Sequence, residues 1–375
     1  MGVVLNFAFK ICLHLLSFLS DVKMLVYCGL LHGCSPFLVD LVPRQNNASA
    51  AGRAGYRMTR HLFNYCAIEW YEKELREQGW KLEEIVASLG VDGIEQFVYS
   101  LEPVPGQYKD LTVGVHLNYW PYWMDFWLKK AKRLKQQFRN IRERNKYFKD
   151  AMSCDEWLSV IRRNIGAAVA QNPEYLVWHV AEANNEEIFT YQFNYSDREV
   201  LTAAAEVFNA VCDEIPANVA VYFENLWWPG LRLTDVRNVK YFFDRLHRDN
   251  VGIMLDTGHL MNTNLRLKNE AEGADYVCRV YEKLGDYGKL VKGVHLSYSL
   301  SGAYQRNLSH QAPEDLSMER VWKHITAIDQ HRPFHTEAAK KILDTIQPEY
   351  VVHEVGYDSM KDLREQLPIQ LQACR

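Results

Sequence analysis

The sequence predicts an α/β protein, a (β/α)8 TIM barrel in a single domain, and three observations carry that expectation. Short apolar runs rich in Val, Ile, Leu, Phe and Tyr alternate with helix-patterned segments through eight rounds from Arg60 onward. Four successive runs close on an acidic or imidazole side chain: Val219-Ala-Val-Tyr-Phe-Glu224, Val251-Gly-Ile-Met-Leu-Asp256, Leu290-Val-Lys-Gly-Val-His295 and Tyr350-Val-Val-His-Glu354. No Gly-x-Gly-x-x-Gly follows a run, which leaves an open doubly wound sheet without support. With 375 residues, 48% of them hydrophobic, the chain is long enough for a barrel of about 250 residues.

The elements are expected as follows. Residues 1–57 read as a peripheral N-terminal extension and linker outside the barrel, which would occupy 58–375. The apolar stretch Val3–Leu19 carries Asn6, Lys10 and His14 with no basic residue before it, a poor signal peptide, and Gln45–Gly55 has linker composition. Arg60–Cys66 is the first strand, followed by one amphipathic helix from Glu69 to Leu89, with Leu75, Leu82, Ile85, Val86 and Leu89 at helical spacing. Val91–Val98 is the second strand; Pro103, Pro105 and Gly106 argue against a helix before the third, Leu111–Leu117, which carries His116.

A long helical region, Trp123 to Asn172, is expected to split near Ser153, where Asp155 and Glu156 mark a helix start. The fourth strand, Tyr175–Val180, carries His179. Ser196-Asp-Arg-Glu199 has capping-box spacing and opens a helix to Cys212. The fifth strand closes on Glu224, and a helix from Thr234 to Asn250 leads to the sixth and Asp256. A helix from Asn269 to Lys283 precedes the seventh strand and His295. The linker 297–332 holds a short helix near Leu316–Asp329; His335–Ile346 leads to the eighth strand and Glu354, and Ser359–Leu367 closes the chain.

Composition narrows the function classes. Charged residues make up 24% and the net charge is -4, so there is no global attraction to nucleic acid. No run reaches the roughly 18 uninterrupted apolar residues of a membrane span. The eight cysteines (12, 28, 34, 66, 154, 212, 278, 374) form no Cys-x-x-Cys pair, the pattern of a reduced, cytoplasmic protein. Aromatic residues cluster near the candidate ligands, as in Tyr119-Trp-Pro-Tyr-Trp123 and Trp227-Trp228, a pattern shared by sugar clefts and ordinary barrel rims.

In a barrel, side chains at the C-terminal strand ends converge on one site. Glu224, Asp256, His295 and Glu354 would offer three carboxylates and an imidazole to one divalent cation, and that donor set suits Mn²⁺, Mg²⁺, Co²⁺ or Zn²⁺. His259, three residues after Asp256 in the same turn, and His116 and His179, near the ends of the third and fourth strands, are further candidate ligands. A cation that binds a carbonyl oxygen and a neighbouring hydroxyl acidifies the adjacent C–H. A carboxylate on each face can then move the proton through an enediolate.

Leu255-Asp-Thr-Gly-His-Leu260, Phe223-Glu-Asn-Leu226, Asp92-Gly-Ile-Glu95 and the strand order Glu, Asp, His, Glu resemble the xylose-isomerase-like barrel superfamily from about Met58 to the C-terminus. That superfamily includes sugar isomerases and epimerases and the apurinic-site endonucleases. The epimerase branch implies one metal on Glu224, Asp256, His295 and Glu354, with Glu224 and Glu354 as the catalytic acid/base pair. It also implies a small sugar substrate bound by His259, with His116, Trp227 and Arg306 as further contacts. The endonuclease branch implies three zinc ions and more ligands. His116 and His179 match its extra histidines, and His116-Leu-Asn-Tyr119 resembles its His-x-x-Tyr segment. His310 falls near a later expected ligand, but Leu308 stands where its aspartate should be. That departure puts the third zinc in question and leaves open a two-metal site with His116, His179 and Glu224 beside the main four.

The expectation is therefore a metal-dependent isomerase or epimerase of a small sugar or polyol. The alternative is a zinc-dependent phosphodiester hydrolase, with nucleic acid as partner only in that case. One segment is left over. Lys129–Lys149 holds ten basic residues against the single acid Glu143, and reads either as a phosphate grip or as a solvated helix.

Overall fold

The computed structural model describes residues 59–103 and 108–375. The expected extension 1–57, and Pro105 and Gly106, lie outside the described residues. Eight parallel strands close into a barrel in sequence order: β1 Arg60–Tyr65, β2 Gly93–Phe97, β3 Thr112–His116, β4 Tyr175–His179, β5 Ala220–Glu224, β6 Val251–Asp256, β7 Val291–Leu296 and β8 Tyr350–His353. β1 pairs with both β2 and β8, so the sheet has no edge. No helix of the described residues is long and apolar enough to cross a membrane.

The strands obey the two-residue alternation of a barrel wall. On β5, Ala220 and Tyr222 point inward to a cluster with Leu62, Tyr175, Val177, Met254, Tyr350 and Val352. Val221 and Phe223 point outward and pack under the helices in the main core. Glu224 continues the inward phase. The rings of Tyr175, Tyr222 and Tyr350 fill the barrel's lower interior at centroid distances of 4.7–6.1 Å. Their bulk requires glycine at 114, where a Cβ would stand 2.2 Å from the Tyr175 ring.

The segment expected to form one helix after β1 forms two, α1 Glu69–Gln78 and α2 Leu82–Leu89. Gly79 adopts a left-handed φ of 64° and caps the first, so it ends a helix that side-chain spacing alone would run through. The long helical region divides into α3 Met124–Trp127, α4 Ala131–Gln137, α5 Ile141–Tyr147 and α6 Cys154–Val169. The expected break at Ser153 is present, its side chain accepting from the Glu156 N–H. The remaining helices are α7 Glu187–Thr190, α8 Asp197–Asn209, α9 Val236–Phe243, α10 Thr257–Met261, α11 Glu270–Lys283, α12 Gly302–Arg306, α13 Met318–Ile328, α14 Ala338–Ile346 and α15 Met360–Ala373. The capping box at Ser196 and Glu199 is formed. A cap of this kind contributes about 1 kcal/mol.

Candidate metal centre

Strand register assembles the site. His179 lies directly beside Glu224 across β4–β5, and Asp256 beside His295 across β6–β7. Neighbouring strands are about 4.8 Å apart, so paired inward side chains at the strand ends meet at their tips. Three ligand-type clusters result: His116, His179 and Glu224; Glu224, Asp256, His295 and Glu354; and His259, Asp329 and His331. In each, the donor atoms lie within 4.8 Å of one another. Glu224 belongs to two clusters. His259 ties the third to them, its Nδ1 being 3.2 Å from Glu224 Oε1 and its Nε2 3.2 Å from Asp329 Oδ2.

The two sequence motifs at the centre are mechanically coupled. Asp256 caps α10 through Oδ1, which accepts from the His259 N–H at 2.5 Å. That leaves its Oδ2 free and turns His259 into the site. Asn225, next to Glu224, clamps the end of β6 by donating to Asp256 O and accepting from Asp256 N. Thr257 donates to the carbonyls of His295 and Ser297, locking the turn onto β7.

The imidazoles are oriented one nitrogen at a time. Nδ1 of His116 lies 3.0 Å from Leu117 O, that of His259 2.9 Å from Asn225 O, and that of His331 3.0 Å from Glu354 O. Each contact assigns the Nδ1 proton to a backbone carbonyl and leaves Nε2 facing a carboxylate. His295 is reversed: its Nε2–H donates at 2.9 Å to Glu95, a fully buried carboxylate also held by Asn64 and Tyr175. Its Nδ1 then faces Glu354 Oε2 at 3.0 Å and Glu224 Oε1 at 3.4 Å.

Electrostatics follow from burying so many acids and imidazoles together. Burial would lower His331, but the Asp329 carboxylate beside it raises it to about 10. His259 and His295 are likewise raised well above the usual imidazole value, against the pull of burial, chiefly by Asp256 and by Glu95 respectively. Burial, with the charges of Glu354 and Glu224 and against His259, lifts Asp256 to about 8. Burial pulls Glu354 upward too, but His295 holds it down at about 2. The group is a set of competing charges that protons alone balance poorly.

The residues fit divalent ions. His179 Nδ1, Glu224 Oε1, Asp256 Oδ2, His295 Nδ1 and Glu354 Oε2 are buried and have no hydrogen-bond partner among the described residues. Four of those five atoms belong to the central cluster, where His295 Nδ1 lies at ion-pair distance from Glu224 Oε1 and Glu354 Oε2 but without hydrogen-bond geometry. Lone pairs converging on a shared point are the arrangement a cation requires. The donors are nitrogen and oxygen only, a set that suits Zn²⁺ or Mn²⁺.

The outcome for the expected residues is mixed. Glu224, Asp256, His295 and Glu354 meet, His116 and His179 join them, and Trp227 packs its ring 5.2 Å from that of His259. Arg306 is not at the site: it lies on α12 and donates to Leu265 O. His310 is exposed beside Thr190 O and Tyr191, so it is no ligand. The departure at Leu308 therefore does not remove the third cluster, which Asp329 and His331 complete about twenty residues later.

Those two residues went unread because they sit in what looks like linker. The segment is pinned to the strand ends by Tyr298–Arg332 pairing and by the Gly356 N–H donating to His331 O. His331 also has a left-handed φ of 46°, a conformation that costs a non-glycine residue about 1–2 kcal/mol. The available signal was Asp329-Gln-His331 itself, a carboxylate and an imidazole two residues apart. Glu95 entered only through a motif likeness; its burial opposite His295 gives it a physical role.

A closed parallel barrel with this ring of donors at its C-terminal mouth has its candidate site where barrels of this architecture carry theirs. The model of the xylose isomerase-like TIM barrel family matches residues 146–366, and the chain belongs to that family. No curated protein matches the chain significantly. Similar solved structures include endonuclease IV from Thermus thermophilus, 12% identical, covering 84% of this chain and 98% of that one, at a TM-score of 0.46. A D-tagatose 3-epimerase-like protein is 15% identical over 84% and 97%, at 0.44. The 3-keto-D-glucoside 4-epimerase from E. coli is 13% identical over 84% and 99%, at 0.43.

Proposed function

We propose that the protein is a metal-dependent phosphodiester hydrolase that uses three divalent ions. The observation that carries this reading is the third cluster, His259, Asp329 and His331, continuous with the other two. Proton transfer on a sugar needs one ion and two free carboxylates. Here Glu224 is not free, because His116 Nε2 and His179 Nε2 converge on its Oε2 at 3.1 and 3.0 Å.

Ions held there would supply Lewis acidity and charge neutralisation to a phosphoryl group. His116 and His179 would hold one ion, Asp256, His295 and Glu354 a second, with Glu224 shared between them. His259, Asp329 and His331 would hold the third. Glu95 fixes the His295 ring so that Nδ1, not Nε2, would be the ligand atom to an ion held there. The Tyr119 hydroxyl, buried without an acceptor among the described residues beside the His179 ring, is placed to donate to a phosphoryl oxygen.

Metal analysis together with a substrate panel tests the reading. Three ions per chain and hydrolysis of bis(p-nitrophenyl) phosphate are expected. One exchangeable ion with turnover of ketoses and none of diesters would replace it with the isomerase reading.

A further inference from the structure

The basic segment 129–149 is not one uniform solvated face. α3, α4 and α5 follow β3 at the C-terminal mouth and form a wall of the cavity above the clusters. That cavity, of about 1100 Å³, is lined by His116, His179, His259, Asp329, His331 and Glu354 at its floor and by Arg133, Arg139, Lys146 and Lys149 on this wall. Lys129, Lys130, Lys132 and Lys135 are exposed and lie off the cavity. The segment therefore divides its charge between solvent and site.

The cavity-side cations differ in how they are balanced. Arg133 lies 3.8 Å from Asp125 and over the Tyr195 ring, so its charge is spoken for. Among the described residues, no carboxylate comes within ion-pair distance of Lys149 or of the Arg139 guanidinium. Lys149 is half-buried, and burial lowers its ammonium pKa. Of the acids lining the cavity, Asp125 accepts from Tyr195 and Gln137, Glu143 from the Arg139 N–H, and Glu187 from the Asn184 and Asn194 N–H groups. Asp315 accepts from Ser317, which together with the charges of Arg320 and Arg139 lowers its carboxyl pKa; Glu186 and Glu314 line the cavity as well. Trp228 also lines the cavity, and its buried indole N–H has no acceptor among the described residues.

A half-buried ammonium at Lys149 and an exposed guanidinium at Arg139, lining one cavity with no carboxylate of the described residues at ion-pair distance, suit an anion. The metal clusters already account for one phosphoryl group, and these donors sit on a different surface. We infer that the substrate is a short phosphodiester of nucleotide size carrying a second, non-reacting phosphate, which Lys149 and Arg139 grip while the clusters hold the diester. This rests on the phosphodiester reading. At about 1100 Å³ the cavity is slightly larger than the usual small-molecule cleft of about 300–1,000 Å³ and has room for a ligand of dinucleotide size.

The test compares pTpT, which has a terminal phosphate, with TpT, which lacks it, using the full chain loaded with zinc or manganese. Hydrolysis of bis(p-nitrophenyl) phosphate is measured in parallel. The expected result is a kcat/KM for pTpT at least about tenfold above TpT. Lys149→Gln and Arg139→Gln should each move that ratio toward one, while Lys132→Gln, off the cavity, leaves it unchanged. By calorimetry, thymidine 5′-phosphate should bind about tenfold more weakly to Lys149→Gln. Cleavage of the generic diester with no pTpT preference, or a preference that both variants retain, overturns the inference and leaves the hydrolase reading standing. So does faster cleavage of an abasic duplex than of pTpT. If no diester is cleaved with any metal, the hydrolase reading fails and the inference falls with it.

Discussion

At the N-terminal end of the barrel, Arg60 pairs with Glu174 at 2.5 Å and Lys292 with Glu349 at 3.5 Å, all four partly open to solvent. At the C-terminal mouth, five carboxylates (Glu95, Glu224, Asp256, Asp329, Glu354) face five imidazoles (His116, His179, His259, His295, His331), with side chains at most 13% exposed. Among the described residues no lysine or arginine comes within ion-pair distance of them. One end closes its charge balance with its own side chains. The other leaves it to whatever enters. So costly a group at one rim is what motivates the metal-dependent reading proposed above.

The sharpest way to break this contrast is at the shared carboxylate. Glu224→Gln should lower diester hydrolysis about a thousandfold or more, about 4 kcal/mol of barrier, while circular dichroism stays native. Metal content should fall from three ions toward one, because two clusters lose a ligand at once. Unchanged metal content would sever the link between the mouth's charge and metal binding. Glu95→Gln comes next. It removes no ligand but frees the His295 ring, and a loss of about 10- to 100-fold in metal affinity is expected by equilibrium dialysis.

A smaller effect concerns pH. His331 is raised to about 10, and His259 and His295 are raised above their usual value, so an entering ion must displace protons. Affinity should therefore rise with pH up to about 10, by about tenfold per unit for each proton released. The apo protein should behave oppositely. Raised folded-state values stabilise it fully below 6.5, and that contribution is lost as pH rises through about 10. Calorimetry in buffers of different ionisation enthalpy measures the released protons; zero release would contradict the account. The smallest effect belongs to the other end. Glu349→Gln should cost less than about 1 kcal/mol in a thermal melt and leave metal content and turnover unaltered.

Much of the strand order was legible because parallel strands buried on both faces must be apolar throughout, and a polar residue closing one of them stands out. Glu224, Asp256, His295 and Glu354 were visible for that reason. Helix boundaries were less so: Gly79 ends α1 through its backbone, which side-chain periodicity does not register. Arg306 and His310 were misplaced for a related reason. Both lie in the long connection after β7, where no periodicity says which side chains turn inward. Asp329 and His331, in the same connection, do turn inward.

By itself, the amino-acid order determined the barrel, the ends on which its inward carboxylates fall and the cap that swings His259 back beside Asp256, because these depend on two-residue alternation and on contacts within one turn. Only the closed structure decided that Asp329 and His331 complete a third cluster, that Glu95 orients His295 from 200 residues away, and that four of the ten cations of the basic segment line the cavity. Those outcomes depend on barrel closure and strand register, which bring together groups that no local pattern relates.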